Sequence, residues 1–132
     1  MALQKPTETL TRDNLFSALQ LMPVVTGTWQ IQPNQGVLKR GTLISEAGKK
    51  CAKTAAEEGE PDGEGTPETV DDVYCILADD IDTGTGGAVT APVYFTGDFN
   101  QDALIFDTAN SAKPRDFMAS ARKVGIFFRT NI

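Results

Sequence analysis

Histidine is absent from the 132-residue chain. With it go the commonest general base near neutral pH and the commonest nitrogen ligand for metals, which removes Ser-His-Asp, Cys-His and most catalytic zinc arrangements. Cysteine is nearly as scarce. Cys51 and Cys75 are the only two, and their spacing fits neither a metal knuckle nor a redox pair. Both are read as reduced thiols; a disulfide would need their Cα atoms within about 7 Å, which spacing does not decide. No apolar run approaches the ~20 residues that span a bilayer. The start Met1-Ala2-Leu3-Gln4-Lys5-Pro6 lacks the apolar core of a secretory signal, so the chain is expected to be made in a cytoplasm and to have no membrane partner.

Positive charge is missing from the middle. Residues 54–112 contain no Lys or Arg but hold 14 of the 18 carboxylates, within a net charge of -6. An acidic centre repels phosphate backbones, and the basic residues near the two ends form no stripe with interleaved aromatics, so no nucleic-acid partner is expected. A chain of this length is one domain, able to bury roughly 65–70% of its unfolded surface in a single core.

What is present reads mainly as strands. Val73, Tyr74, Ile76 and Leu77, then Val93, Tyr94 and Phe95, suit a pleated, half-buried surface, and Gly84, Gly86 and Gly87 permit the chain reversal between them. Residues 37–44 read as a strand interrupted at Gly41, where a bulge or tight bend calls for glycine. Residues 24–31 alternate weakly, Trp29 and Ile31 against Thr28 and Gln30, before the turn Pro33-Asn34-Gln35-Gly36, which describes an edge strand or extended arm. Ile126, Phe127 and Phe128 form a last buried strand.

Two helices are expected. In residues 13–22, Leu15, Phe16, Leu19 and Met22 recur at helical spacing, Thr11 or Asp13 can cap the start and Pro23 closes it. Such a helix is marginal alone and must lie on its own core or on a partner. The second follows Asn110 or Ser111 as cap, with Pro114 in its first turn, Phe117, Ala121 and Val124 on one face, and Gly125 at its end. Residues 1–12 are polar and threonine-rich and read as a flexible arm. Residues 57–72 carry eight carboxylates among prolines and glycines, a composition that cannot bury enough apolar surface to order itself. The fold class is therefore mainly β (α+β): a small Greek-key or barrel-like domain with one or two short helices. Residues 1–35 form an N-terminal arm with a short helix and edge strand, and residues 36–132 a β-rich domain with a flexible acidic loop at about 54–72.

One motif invites a chemical reading. Asp98-x-Asn100-x-Asp102 reproduces the first three ligand positions of an EF-hand loop, but Ala103 stands where the sharp turn needs glycine and Ala109 where a bidentate carboxylate belongs. Asp80-x-Asp82-x-Gly84 fails similarly at Ala91. The plain alternative is that these side chains supply turn and capping oxygens while Phe99, Ala103, Leu104 and Phe106 fill the core. Acid catalysis by Asp98 and Asp102 has no second site feature beside it. No catalytic residue, cofactor or metal site is assigned.

The succession Leu38-Lys39-Arg40-Gly41-Thr42-Leu43, then Val73-Tyr74-Cys75-Ile76-Leu77-Ala78-Asp79-Asp80-Ile81-Asp82, then Val93-Tyr94-Phe95-Thr96-Gly97-Asp98-Phe99-Asn100 with Ala103-Leu104, and the helix before Gly125-Ile126-Phe127, resembles the lambda-type phage head decoration proteins. The likeness covers about residues 36–128, and its most specific part is residues 93–104. It implies a small β-rich structural virion protein, not an enzyme, made in the host bacterial cytoplasm. It would bind as a homotrimer at threefold and quasi-threefold positions on the outside of an expanded capsid and cement the shell against internal DNA pressure. Its partners would be the major capsid protein and itself. In that family the N-terminal arm commonly orders on the capsid by adding a strand to the coat protein. The expected helix in the arm and the acidic loop of residues 57–72 depart from the pattern. On this reading Val24, Val25, Trp29 and Ile31 are the coat-contact candidates, and removing residues 1–31 is expected to leave the domain folded. The alternative reading is a calcium-binding β-rich interaction module.

Overall fold

The computed structural model describes residues 14–18, 20–59, 63, 65 and 67–130. The expected flexible arm of residues 1–12 lies outside them, as do residues 60–62, 64 and 66 of the acidic stretch. The chain is mainly β, with strands β1 (Val25–Ile31), β2 (Val37–Leu38), β3 (Leu43–Ile44), β4 (Lys53–Thr54), β5 (Thr69–Val70), β6 (Cys75–Leu77), β7 (Ile81–Asp82) and β8 (Val89–Asn100). They are followed by helix α1 (Pro114–Lys123) and strand β9 (Ile126–Arg129).

β8 is the axis of the molecule. Its first half pairs with β1 on one edge and with β6 on the other, β3 continues the sheet beyond β6, and its last four residues pair in parallel with β9. The short strands β3 and β6 are apolar at every position and buried on both faces, as continuous apolar runs require when the sheet is covered on both sides. Because side chains alternate, Leu43 and Ile76 enter one core with Leu15, Phe99, Phe117, Ala121, Ile126 and Phe128, while Ile44, Cys75 and Leu77 enter a second with Ile31, Leu38, Ala91 and Val93. The two-stranded β2–β7 ribbon covers the second core through Leu38 and Ile81. The interruption expected at Gly41 is the bend, at φ +98°, between β2 in that ribbon and β3 in the main sheet.

A strict alternation cannot put Tyr94 and Phe99 on one face, yet their rings lie 5.9 Å apart in the same core. The odd step is taken up in residues 95–97: the β1 register shifts between Val25 and Thr26, and Gly97 has φ +145°, a region open to glycine and costly for other residues. Past this irregularity β8 turns its last residues to new partners.

Helix α1 forms where expected, with a different start. Its cap position is Lys113, not Asn110 or Ser111, which lie in a separate 3-10 turn. Pro114 occupies the first helical position, where its missing N–H costs nothing. The Asp116 carboxylate accepts the Lys113 amide at 2.8 Å while the Asp116 amide donates to the Lys113 carbonyl. Lys53 joins the same carboxylate at 3.6 Å and Glu68 at 3.4 Å, so the feet of the acidic stretch, β4 and β5, are tied to the helix. Phe117 and Ala121 are its buried face.

The helix expected over residues 13–22 is absent from its described residues. Asn14 has φ +55°, and Phe16 forms an antiparallel bridge with Phe99. The apolar residues that suggested helical period are instead used in an extended segment. Phe16 stacks 5.1 Å from Phe99, and Leu15 is fully enclosed.

Phe117 is the largest side chain that α1 contributes to the core and lies 5.0 Å from the Phe106 ring. Phe117→Ala is expected to cost about 3–5 kcal/mol of unfolding free energy, read by denaturant titration, because the cavity it leaves is walled by strands that cannot close in.

Candidate interaction surface

Asp98 organises the N-terminal segment. Its side chain is fully buried. One carboxylate oxygen accepts the backbone amides of Leu21 and Met22, both at 2.6 Å, and the other accepts Arg129 Nε at 2.6 Å. The backbone of Asp98 is equally engaged: its carbonyl accepts the Ser17 amide at 3.0 Å and Gln20 Nε2 at 2.6 Å, and its amide donates to Gln20 Oε1. The Asn100 amide donates to the Leu15 carbonyl at 2.8 Å. The amides of residues 17, 21 and 22, which a helix would turn inward along its own axis, are thus taken by one residue of β8. Burial pushes the Asp98 carboxyl toward neutrality, but the Met22 amide, the Arg129 guanidinium and the Leu21 amide outweigh it and hold the group below the usual carboxylate range.

This clasp delivers the chain to β1 with apolar side chains facing outward. Leu21 is 66% exposed, Val24 41% and Val25 49%. β1 is the edge strand of the main sheet. Its first amide, at Val25, donates to Thr96 Oγ1, whose hydroxyl in turn reaches the Pro23 carbonyl. Of the four coat-contact candidates, then, Val24 and Val25 stand together at the surface. Trp29 is half-buried, its ring 4.5 Å from Tyr74 and 6.3 Å from Phe95 and its indole N–H given to the Glu46 carbonyl at 3.0 Å. Ile31 is sealed in the second core and presents no surface. The expectation that residues 1–31 could be removed from an intact domain fails for the same reason, because Leu15 and Ile31 are core residues and β1 is a strand of the main sheet. Leu21 and the Asp98–Arg129 pair were missed. The available signal was an acid at the end of an apolar strand and an arginine ending another.

The calcium-like motifs do not assemble. Asp98 is spent on Arg129 and two amides, Asn100 Oδ1 caps the following 3-10 turn through the Asp102 amide, and Asp82 Oδ1 accepts the Gly84 amide. Asp80 accepts the Arg40 amide at 2.8 Å and lies 3.5 Å from Lys39 Nζ, contacts that lower its pKa with the Arg40 amide foremost. Among the described residues no three carboxylates or thiols come together as metal ligands. The turn-and-cap reading holds for Asn100 and Asp82, whereas Asp98 and Asp80 accept long-range donors instead.

Both thiols are buried and unpaired. Cys51 belongs to one core and Cys75 to the other, on opposite faces of the sheet, and burial pushes Cys75 up to about 12 and Cys51 higher still. Neither is a thiolate at neutral pH. A groove of about 250 Å³ lies between the end of α1 and residues 72–74, lined by Glu46, Asp72, Tyr74, Ser120, Lys123 and Val124 among others. Ser120 Oγ accepts the Val73 amide and donates to the Phe117 carbonyl, so its hydroxyl is structural.

No protein-family model and no curated protein matches this chain.

Removing the buried charge should loosen the clasp. Asp98→Asn is expected to lose about 3–5 kcal/mol, because Arg129 is left without its partner and an amide NH2 faces two N–H donors. Acid should act through the same group. With its native pKa depressed, Asp98 contributes stability that is complete above about pH 4 and disappears as pH falls through the native value. Denaturant midpoints measured from pH 5 to pH 2 should fall steeply in the wild-type chain and less steeply in Asp98→Asn, the remaining slope coming from Asp80 and Asp116, whose pKa values are lowered as well.

Proposed function

We propose that this chain is a structural virion protein that binds the outside of an expanded phage capsid as a homotrimer, at threefold and quasi-threefold positions, and holds the shell against DNA pressure. The observation that supports the reading is the edge strand β1 with Leu21, Val24 and Val25 exposed at its start. An edge strand leaves one row of backbone donors and acceptors unpaired, and a coat-protein segment laid along it gains main-chain hydrogen bonds while covering the apolar side chains. Three such contacts per trimer multiply the avidity of each. The resemblance in residues 36–128 points the same way. The major capsid protein is the partner, the virion exterior is the location, and the role needs neither catalysis nor a cofactor.

Co-sedimentation with compact and expanded empty shells of the encoding virus or prophage tests the reading. Saturable binding to expanded shells only, near three copies per threefold site, is the expected result. The double substitution Val24→Asp with Val25→Asp should lower shell affinity at least tenfold, since it puts two charges into the covered surface while leaving the core untouched. Absence of wild-type binding to either shell form removes the proposal.

A further inference from the structure

The second open edge lies at β9. Among the described residues this strand pairs only with β8. Ile126 and Phe128 face the core, which leaves Phe127 and Arg129 on the other side, where the Leu21–Met22 turn lies against them. These four residues line an open groove of about 200 Å³. Arg129 uses Nε on Asp98, its two terminal nitrogens have no hydrogen-bond partner among the described residues, and its side chain is 35% exposed. The groove therefore offers an unpaired strand edge, an apolar wall and, two residues farther along the strand, guanidinium N–H groups suited to a carboxylate. What fits it is an extended segment bearing an acid and an apolar residue at i and i+2, which share one face of a strand.

Such a segment exists in this chain. In Thr7-Glu8-Thr9-Leu10-Thr11, Glu8 and Leu10 have that spacing and the alternating threonines suit a strand. We infer that residues 7–11 of one copy add as an antiparallel strand to the outer edge of β9 in a second copy, Glu8 against Arg129 and Leu10 against Phe127 and Leu21. The same copy cannot supply the segment. Leu15 is bonded to the opposite edge of β8, so Leu10 would have to lie three strand spacings away, about 14 Å, and roughly two residues back along the strand. The straight path of about 16 Å is all that five residues can span, and it runs through β8 and β9 themselves. The contact is head-to-tail, so it closes a ring or extends a chain according to the angle between copies. It uses a different strand edge and a different part of the arm from the shell-binding reading, with Leu21 bordering both surfaces.

Disulfide trapping between full-length chains tests it. A Leu10→Cys chain is mixed with a Leu21→Cys chain under oxidising conditions. Leu21 is exposed and the two native thiols are buried, so the oxidation reports on the introduced pair. A Leu10→Cys and Val37→Cys mixture serves as control, Val37 being exposed on the β2–β7 ribbon. The expected result is at least tenfold more mixed dimer for the Leu21 pair than for the control, reduced at least tenfold when Glu8→Lys is added to the Leu10→Cys chain. Equal yields in the two mixtures, or a yield unchanged by Glu8→Lys, overturn the inference. So does trapping of the Leu10→Cys chain on coat protein when shells are present with none between copies.

Discussion

A buried carboxylate with all its hydrogen bonds satisfied is the constraint on which the N-terminal third of this molecule depends. Taking Asp98 out of water would cost several kcal/mol if it were unpaired, and the cost is offset only because two amides and a guanidinium converge on it. Those donors come from residues 21, 22 and 129, so the requirement of one side chain fixes the relative positions of the entering segment, the central strand and the last strand. The direction of β1, which begins three residues after Met22, follows from where that segment is held.

The same residue explains why the end of β8 does two jobs. One backbone edge takes the entering segment and the other takes β9, while the side chains alternate between the core, as Phe99 does, and the clasp, as Asp98 does. Gly97 makes the division possible. Without the break in alternation near it, either Tyr94 or Phe99 would leave the core they share, or Asp98 would face apolar side chains with no donor in reach.

Much of the architecture was legible because it rests on local pattern. The apolar runs at residues 75–77 and 126–128, the break at Gly41, the edge strand at 25–31 and the amphipathic helix with Phe117 and Ala121 all announce themselves through periodicity and turn residues. The helix assigned to residues 13–22 did not form, although Leu15, Phe16 and Met22 have the spacing for it. A ten-residue helix gains little by itself, and the same amides find stronger acceptors on Asp98. That competition lies 76 or more residues away in the chain and leaves no trace in the local pattern. The cap of α1 moved to Lys113 for a smaller reason, the fit of Pro114 to the first helical position combined with the reach of Asp116.

The candidate surface divides in the same way. Exposed apolar residues around Val24 and Val25 could be suspected from an alternating stretch next to a polar arm, but alternation alone could not say which side of β1 faces the core, and it is the side of Trp29 and Ile31 that does. By itself the sequence determined the mainly β fold class, through short apolar runs bounded by turn residues, and a centre that is acidic and without cations. Only the tertiary structure decided which carboxylate is a buried clasp and which are solvated turns, and which strand edges stay open. Those properties depend on what long-range neighbours supply, donors for an acid or a partner for an edge, and a one-dimensional pattern does not contain neighbours.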